Sequence, residues 1–310
     1  MSVARTTFCD RIGSMRKAIT QFNLHDLPPT QANKDHNDSA RIIRNGLAVQ
    51  CFNIFEDFVR GRTNEILAEL SASGVPFTNL PDDLRWAATV DSIKAIDFQL
   101  KLRDVNDRIR YAQDQSESIS STKSPALRLA EVAFFHSSSN ISKDQFRDAL
   151  KAFSIDKPWI QISGLSSRLG VSGVPAETIY AGLAERRHKA AHDPRAAVTE
   201  TDLKQSINDA MALAVCFDLL LSRVLGLAIK DLIAVAAGSS TLLPSHTLVQ
   251  LRFIKLIAGR FGEMGEGARR CVKKHADLNA LLPVAQNRAK KRGSALVIFD
   301  ASGSLATWSV

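Results

Sequence analysis

Between residues 210 and 237 the chain reads AMALAVCFDLLLSRVLGLAIKDLIAVAA, a stretch of little polarity that has to be hidden from water. Two environments can hide it: a bilayer, which a helix of about 20 apolar residues spans, or the interior of a helical bundle. Asp218, Arg223 and Lys230 fall inside the stretch, and each charge costs ~3 kcal/mol at a bilayer centre. Burial in a protein core or an oligomer interface is therefore expected, with no membrane partner. Just upstream, Thr199 and Asp202 stand three apart, a capping-box pattern with an acid in the glutamate's place. The stretch is expected to open as a long, capped helix.

Other segments carry the helical period. Ala48, Phe52, Phe55, Val59, Ile66 and Leu70 recur at spacings of three, four and seven and mark one face of a long helix that begins near Ser39 and ends at Gly74 and Pro76. Residues 1–26 suit a short first helix, followed by the turn-rich linker LPPTQANKDHNDS (27–39). Residues 82–114 again suit helix, and the polar run QDQSESISSTKSP (113–125) reads as a loop. Residues 126–136 and 142–153 suit two short helices separated by SSSN, and ISGLSSRLGVSG (162–173) reads as an irregular link. A further helix is expected from Pro175 to His192, stopped by Asp193 and Pro194.

Beyond Gly238 come helical runs at about 247–261 and 267–289. ALVIFD (295–300) and LATWSV (305–310) then flank ASGS, the pattern of a terminal β-hairpin. The fold class expected is all-α: a helical bundle with a smaller C-terminal helical segment ending in a β-hairpin. The organisation expected is an N-terminal helix and linker (1–39), a helical domain (40–237) and a basic C-terminal segment (238–310).

Composition narrows the function classes. Hydrophobic residues make up 45% and charged residues 23%, which excludes disordered and fibrous chains. The net charge of +8 is compatible with a polyanionic partner such as RNA. Cys9, Cys51, Cys216 and Cys271 lie far apart, with no C-x-x-C pair and no histidine at zinc-ligand spacing. Free thiols in a reducing cytosol, and no metal site, are expected. The first residues carry no apolar run followed by a cleavage site, so a cytoplasmic location is expected. No glycine-rich phosphate loop follows a strand, and no cofactor is expected.

The chemistry concentrates in AERRHKAAHDP, residues 184–194, where Arg187 and His192 form an R-x4-H pair at a helix end. Cleaving RNA without a metal needs groups that move protons from the 2′-OH and to the leaving 5′-oxygen, and positive charge for the phosphorane. Histidine titrates near neutrality, and arginine offers a planar fork of donors to phosphate. Arg270 and His275, in ARRCVKKHADL, satisfy the same spacing. They are read as part of a solvated basic helix, because no stop signal and no capped apolar helix follow them.

AERRHKAAHDP with its capped apolar helix resembles the motif region of HEPN domains, in particular the RiboL-PSP type. In that family a polar residue commonly follows the arginine, the position of His188 here. FFHSSSNISKDQFRDALKAFSID (134–156) is similar to that branch's serine-asparagine segment, and NIFEDFVRGRTNEIL to the family's opening helix. The resemblance covers roughly residues 40–235. It implies an all-α bundle that dimerises, with a composite site from two copies, and an endoribonuclease activity that leaves a 2′,3′-cyclic phosphate or its product. By the same resemblance Arg187 holds the scissile phosphate, His192 transfers the proton, His188 is an auxiliary contact and Glu56 braces the site. Arg186, in R-x5-H register with His192, is the alternative arginine.

The resemblance further implies a toxin or anti-phage defence effector with an antitoxin or defence-system partner. Some family toxins carry a tyrosine two residues past the histidine as the target of a nucleotidyltransferase antitoxin. Pro194 stands there in this chain, which argues against that form of control. Arg269, Arg270, Lys273, Lys274, Lys290, Lys291 and Arg292, with Arg288, are candidates for an RNA-tracking surface or for a solvated face. The competing functions are a non-catalytic HEPN module that binds RNA or scaffolds a complex, expected to bury His192, and a regulator that contacts DNA through residues 239–310.

Overall fold

Two long helices organise the molecule, α2 (Lys34–Ala72) and α9 (Glu200–Ala236). The computed structural model describes residues 2–136, 140–171, 173–193, 195–236 and 249–310. The Gly238 boundary, Pro194 of the stop signal and Ser137 to Ser139 lie outside the described residues. All six positions of the apolar stripe on α2 are buried. On α9 every residue from Asp209 to Leu221 is buried, which is what a helix apolar on all sides requires. The α9 start is a reciprocal capping box: the Asp202 amide donates to Thr199 Oγ1 at 3.1 Å, and the Thr199 amide donates to Asp202 Oδ2 at 3.1 Å. Among the described residues no helix is long and apolar enough to cross a membrane.

Contacts fix the directions of the bundle. Asn45 donates to the Ala196 carbonyl near one end and Arg62 to Asp218 near the other, so α2 and α9 run the same way. Helix α1 (Val3–Gln21) runs against α2, because Ala4 meets Glu65 while Arg11 meets Asp57. Then come α3 (Asp82–Trp86), a π turn (Ala87–Asp91), α4 (Ser92–Leu102) and α5 (Val105–Ser120), followed by α6 (Lys143–Ala152), α7 (Pro158–Leu169) and α8 (Ala176–His192). Phe146 of α6 sits at the centre, with ring centroids 5.0 Å from Phe217, 5.3 Å from Tyr180 and 5.9 Å from Phe55.

Several helical limits differ from the sequence expectation. The supposed loop at 113–125 is helical to Ser120. Only Ser118 of α5 is buried, so this helix has no apolar stripe to reveal its period. Residues 126–136 hold just a 3-10 turn, Glu131–Ala133. The supposed link at 162–173 is mostly α7, in which Ser163 folds back onto the helix, its Oγ donating to the Trp159 carbonyl at 2.7 Å, and which ends on Gly170 at φ +71°. Helix α2 begins at Lys34 rather than near Ser39.

The larger correction concerns the C-terminal segment. The run expected to be helical at 247–261 forms β1 (Leu251–Ile257) and the start of β2 (Arg260–Gly265). The second expected helix divides into β3 (Lys273–His275) and α10 (Leu278–Lys291). The terminal hairpin is present as β4 (Ala295–Phe299) and β5 (Leu305–Ser309). Strand order is β3-β2-β1-β4-β5, with β1 and β4 parallel and the other neighbours antiparallel. Leu251, Phe253, Ala295 and Val297 pack into the helical core on one face, while Ile254, Leu296 and Ile298 pack against Leu281, Ala285 and Ala289 on the other. A strand covered on both faces loses the alternation that betrays it. The β1–β2 turn is made by Ala258 and Gly259, both at positive φ, as tight hairpins require.

Asp218 fastens the sheet to the bundle. Fully buried, it accepts from Arg5 Nε and Arg62 Nε at 2.6 Å each, from Trp308 Nε1 at 2.7 Å and from Ser222 Oγ at 2.8 Å. One carboxylate thus joins α1, α2, α9 and β5.

Candidate active site

Helix α8 is fixed against α2 by Tyr180, whose ring meets Phe52 and Phe55 edge-on at 6.2 and 6.1 Å. The helix ends where the sequence expected, with Asp193 as its C-cap. Successive residues on a helix point about 100° apart, so Arg186 and Arg187 leave α8 in different directions. Arg186 turns to α9, donating to Ser206 Oγ at 2.7 Å and pairing with Asp209. Burial pushes the Asp209 carboxyl above its usual range, while hydrogen bonds from Gln205 and Arg186 pull it back.

Arg187 turns the other way and donates from Nη2 to Asn140 Oδ1 at 3.2 Å. Its Nε is shielded from solvent and has no hydrogen-bond partner among the described residues. The neighbouring peptide is held from both sides: the Ile141 amide donates to Glu56 of α2, and Tyr180 Oη donates to the Ile141 carbonyl at 2.7 Å. Glu56 is 3% exposed. Desolvation raises its carboxyl pKa, against the opposing pull of the Ile141 bond, Arg60 and Arg187. The opening helix, the serine-asparagine segment and the R-x4-H segment therefore meet at one place, 85 residues apart in the Glu56–Ile141 link and 47 in the Arg187–Asn140 link.

His188 and His192 are both exposed, on successive turns of α8, with ring centroids 4.8 Å apart. By winding, His192 lies about 140° from Arg187, and no hydrogen bond joins the two among the described residues. One chain thus presents a partly buried arginine, wedged against Asn140, beside a helix end that exposes two imidazoles. Sequence reasoning overlooked Tyr180 and Asn140 as site residues. Tyr180 stands seven before Arg187, two turns up the same face, a spacing that points to it.

The other candidates lie elsewhere. Arg269, Arg270, Lys273 and Lys274 are exposed on and before β3, and Lys290, Lys291 and Arg292 are exposed at the end of α10. Arg288 pairs with the buried Glu263, which also accepts from Arg252 at 2.6 Å. The second R-x4-H pair is not on a helix: His275 belongs to strand β3, with Nδ1 engaged at 3.0 Å by the Asp277 backbone. All four cysteines are free, Cys51 and Cys216 buried, Cys9 and Cys271 partly so. Among the described residues no three His, Cys, Asp or Glu side chains are grouped to hold a metal ion.

No curated protein and no solved structure matches the chain. The family model for RiboL-PSP-HEPN matches residues 15–223, more than half of the 310 and the span that contains Glu56, Asn140, Arg187 and His192. The chain belongs to the RiboL-PSP-HEPN family.

Proposed function

We propose that this protein is a metal-independent endoribonuclease. The observation that carries the reading is the seating of Arg187 on Asn140, next to a peptide pinned by Glu56 and Tyr180, at a helix end that exposes His188 and His192. Arg187 binds the scissile phosphate and stabilises the phosphorane. His192 moves the proton, and His188 is an auxiliary polar contact. In the step, the 2′-oxygen bonds to phosphorus as its proton goes to a base. The bond from phosphorus to the 5′-oxygen breaks as that oxygen takes a proton from an acid, leaving a 2′,3′-cyclic phosphate.

The exposure of His192 favours this reading over a scaffolding module, which would bury that histidine in a structural hydrogen bond. The engagement of Arg186 with Asp209 and Ser206 favours Arg187 as the phosphate ligand. A second copy supplies the remaining proton-transfer group, and the biological role is that of a toxin or defence effector. The test is incubation of purified protein with total RNA in EDTA. Wild-type protein should cleave, and His192→Ala and Arg187→Ala proteins should not; undiminished cleavage by His192→Ala protein refutes the assignment.

A further inference from the structure

A cavity of about 500 Å³ opens between α3, the π turn, α4, α6 and the segment that leads into Asn140. Its size is that of small-ligand sites. Trp86, a lining residue, is 57% exposed, an unusual placement for a large aromatic ring that could have been buried. Phe134 and Phe135 add apolar wall. Ionisable side chains in the lining nearly cancel: Asp83, Asp91 and Asp148 against Lys94 and Lys151. Such a lining does not attract phosphate into the cavity, and it suits a flat, uncharged, hydrogen-bonding ring.

The wall is built with strain and with one unsatisfied group. Phe135 has φ +62°, a conformation that bulky side chains avoid and that a fold maintains only when its surroundings enforce it. Arg60 Nε holds the Phe135 carbonyl at 3.2 Å and Gln99 holds the His136 carbonyl at 2.8 Å. His136 Nε2 is shielded from solvent and has no partner among the described residues, an arrangement that costs stability until a partner is supplied. Burial, reinforced by Arg60 and Arg103, lowers the His136 pKa to about 4, so the imidazole is neutral at pH 7 and can donate on one nitrogen and accept on the other. Arg60 lies one turn beyond Glu56 on α2, and its charge acts on both Glu56 and His136. Arg60 thus couples the Arg187 site and the cavity wall electrostatically.

We propose that this cavity binds a nucleobase, stacked on Trp86, with its polar edge read by His136 once that ring turns its closed-off Nε2 toward the cavity. The proposal rests on the RNase reading only in taking RNA as the source of the base; a free nucleoside has the same chemistry. Single-stranded RNA is read by splaying bases onto aromatic side chains, and stacking is tolerant of sequence while a hydrogen-bonded edge is selective.

The test uses the full-length chain carrying His192→Ala, so that binding is measured without cleavage. Fluorescence anisotropy of a labelled oligoribonucleotide should show affinity at least fivefold weaker when Trp86→Ala is added, the size expected for about one stacked base. An abasic scan should find one position where removing the base weakens binding to the Trp86 protein and has no further effect on the Trp86→Ala protein. Competition by free adenosine, guanosine, cytidine or uridine that depends on Trp86 assigns the site to soluble nucleosides, and its absence beside a sensitive abasic position assigns it to the substrate strand. His136→Phe, which keeps a ring of similar size, should flatten base preference while retaining stacking. Folded Trp86→Ala and His136→Phe proteins that bind as the parent does, with no sensitive position and no nucleoside competition, overturn the proposal. That result leaves cleavage by the wild-type protein untouched, and failure of cleavage leaves this binding result untouched.

Discussion

Replacing Asp218 by Asn keeps the side chain's size and removes its charge at the point where four elements are tied. The carboxylate is wholly buried and accepts four hydrogen bonds, two of them from arginines whose side chains are 10% and 5% exposed. An amide retains one acceptor oxygen and turns two N–H groups toward donors, so at least one arginine loses its counter-charge in the interior. Arg62 keeps Glu65 and Glu69, at 3.0 and 3.3 Å, whereas Arg5 has Asp218 as its ion-pair partner. Removing one member of a buried pair costs about 3–5 kcal/mol, and the expected loss is about 4 kcal/mol. Trp308→Phe is the control: it retains the ring contacts with Phe8 and Phe58 at 6.2 and 6.0 Å, removes one of four donors, and should cost about 1 kcal/mol. Urea unfolding measures both, as a shift in midpoint at constant slope. Burial works to raise the Asp218 pKa, but Arg5 and Arg62 outweigh it and hold it below its usual value. Its contribution is therefore complete above an ordinary carboxyl pKa of about 4 and is lost only as pH falls through the lower folded value. The gap between wild type and Asp218→Asn should be constant from neutral down to mildly acidic pH and close below about pH 4. A cost under about 1 kcal/mol, or a Trp308→Phe cost equal to it, refutes the account of Asp218 as the tie.

The two adjacent arginines should separate by readout. Arg186→Ala should lower the melting temperature, since it strands Asp209, which is 6% exposed, while Arg187→Ala should abolish cleavage of RNA with little change in melting. Glu56→Gln still accepts from Ile141 and removes a carboxyl whose pKa is raised by burial above 4.5. It should be more stable than wild type at pH 7 in urea titrations, with the advantage fading as pH falls through the raised folded pKa and gone below about 4.5, where the wild-type group is protonated in both states. His136, with its pKa at about 4 when folded, is neutral in both states above about 6.5 and takes up protons first in the unfolded chain below that. Wild type should therefore lose up to about 3 kcal/mol between pH 6.5 and 4, a slope that His136→Phe lacks. Mixing wild-type and His192→Ala subunits in equal amounts should leave about a quarter of the RNase activity if both copies are needed, against about half if each acts alone.

Legibility followed the reach of the interactions. Helices α2 and α8 could be read because their determinants are local: a stripe at three-and-four spacing ending on Gly74 and Pro76, and an Asp-Pro stop after His192. The capping box at Thr199 was readable for the same reason. β1 was not, because Leu251, Phe253 and Ile254 are all buried, against different partners, and a run of apolar residues fits either period. The preference for Arg187 over Arg186 comes from the family resemblance and not from any local pattern. Both are arginines in a basic string, and what separates them is Asp209 on one side and Asn140 on the other, 23 and 47 residues away.

The same distinction between local and distant determinants bears on the chemistry. Transfer to the 2′-oxygen proceeds in line, with the attacking and leaving oxygens on opposite sides of phosphorus. The acid and the base must therefore approach from opposite sides. His188 and His192 lie one turn apart on one helix, rings 4.8 Å apart, so on the proposed reading they would meet a phosphate at Arg187 from a single side. On the proposed ribonuclease reading, one chain then supplies the base or the acid but not both, and we propose that a second copy supplies the other. The exposure of His188 and His192 at the end of α8 is compatible with that proposal, since both imidazoles are open to a second copy.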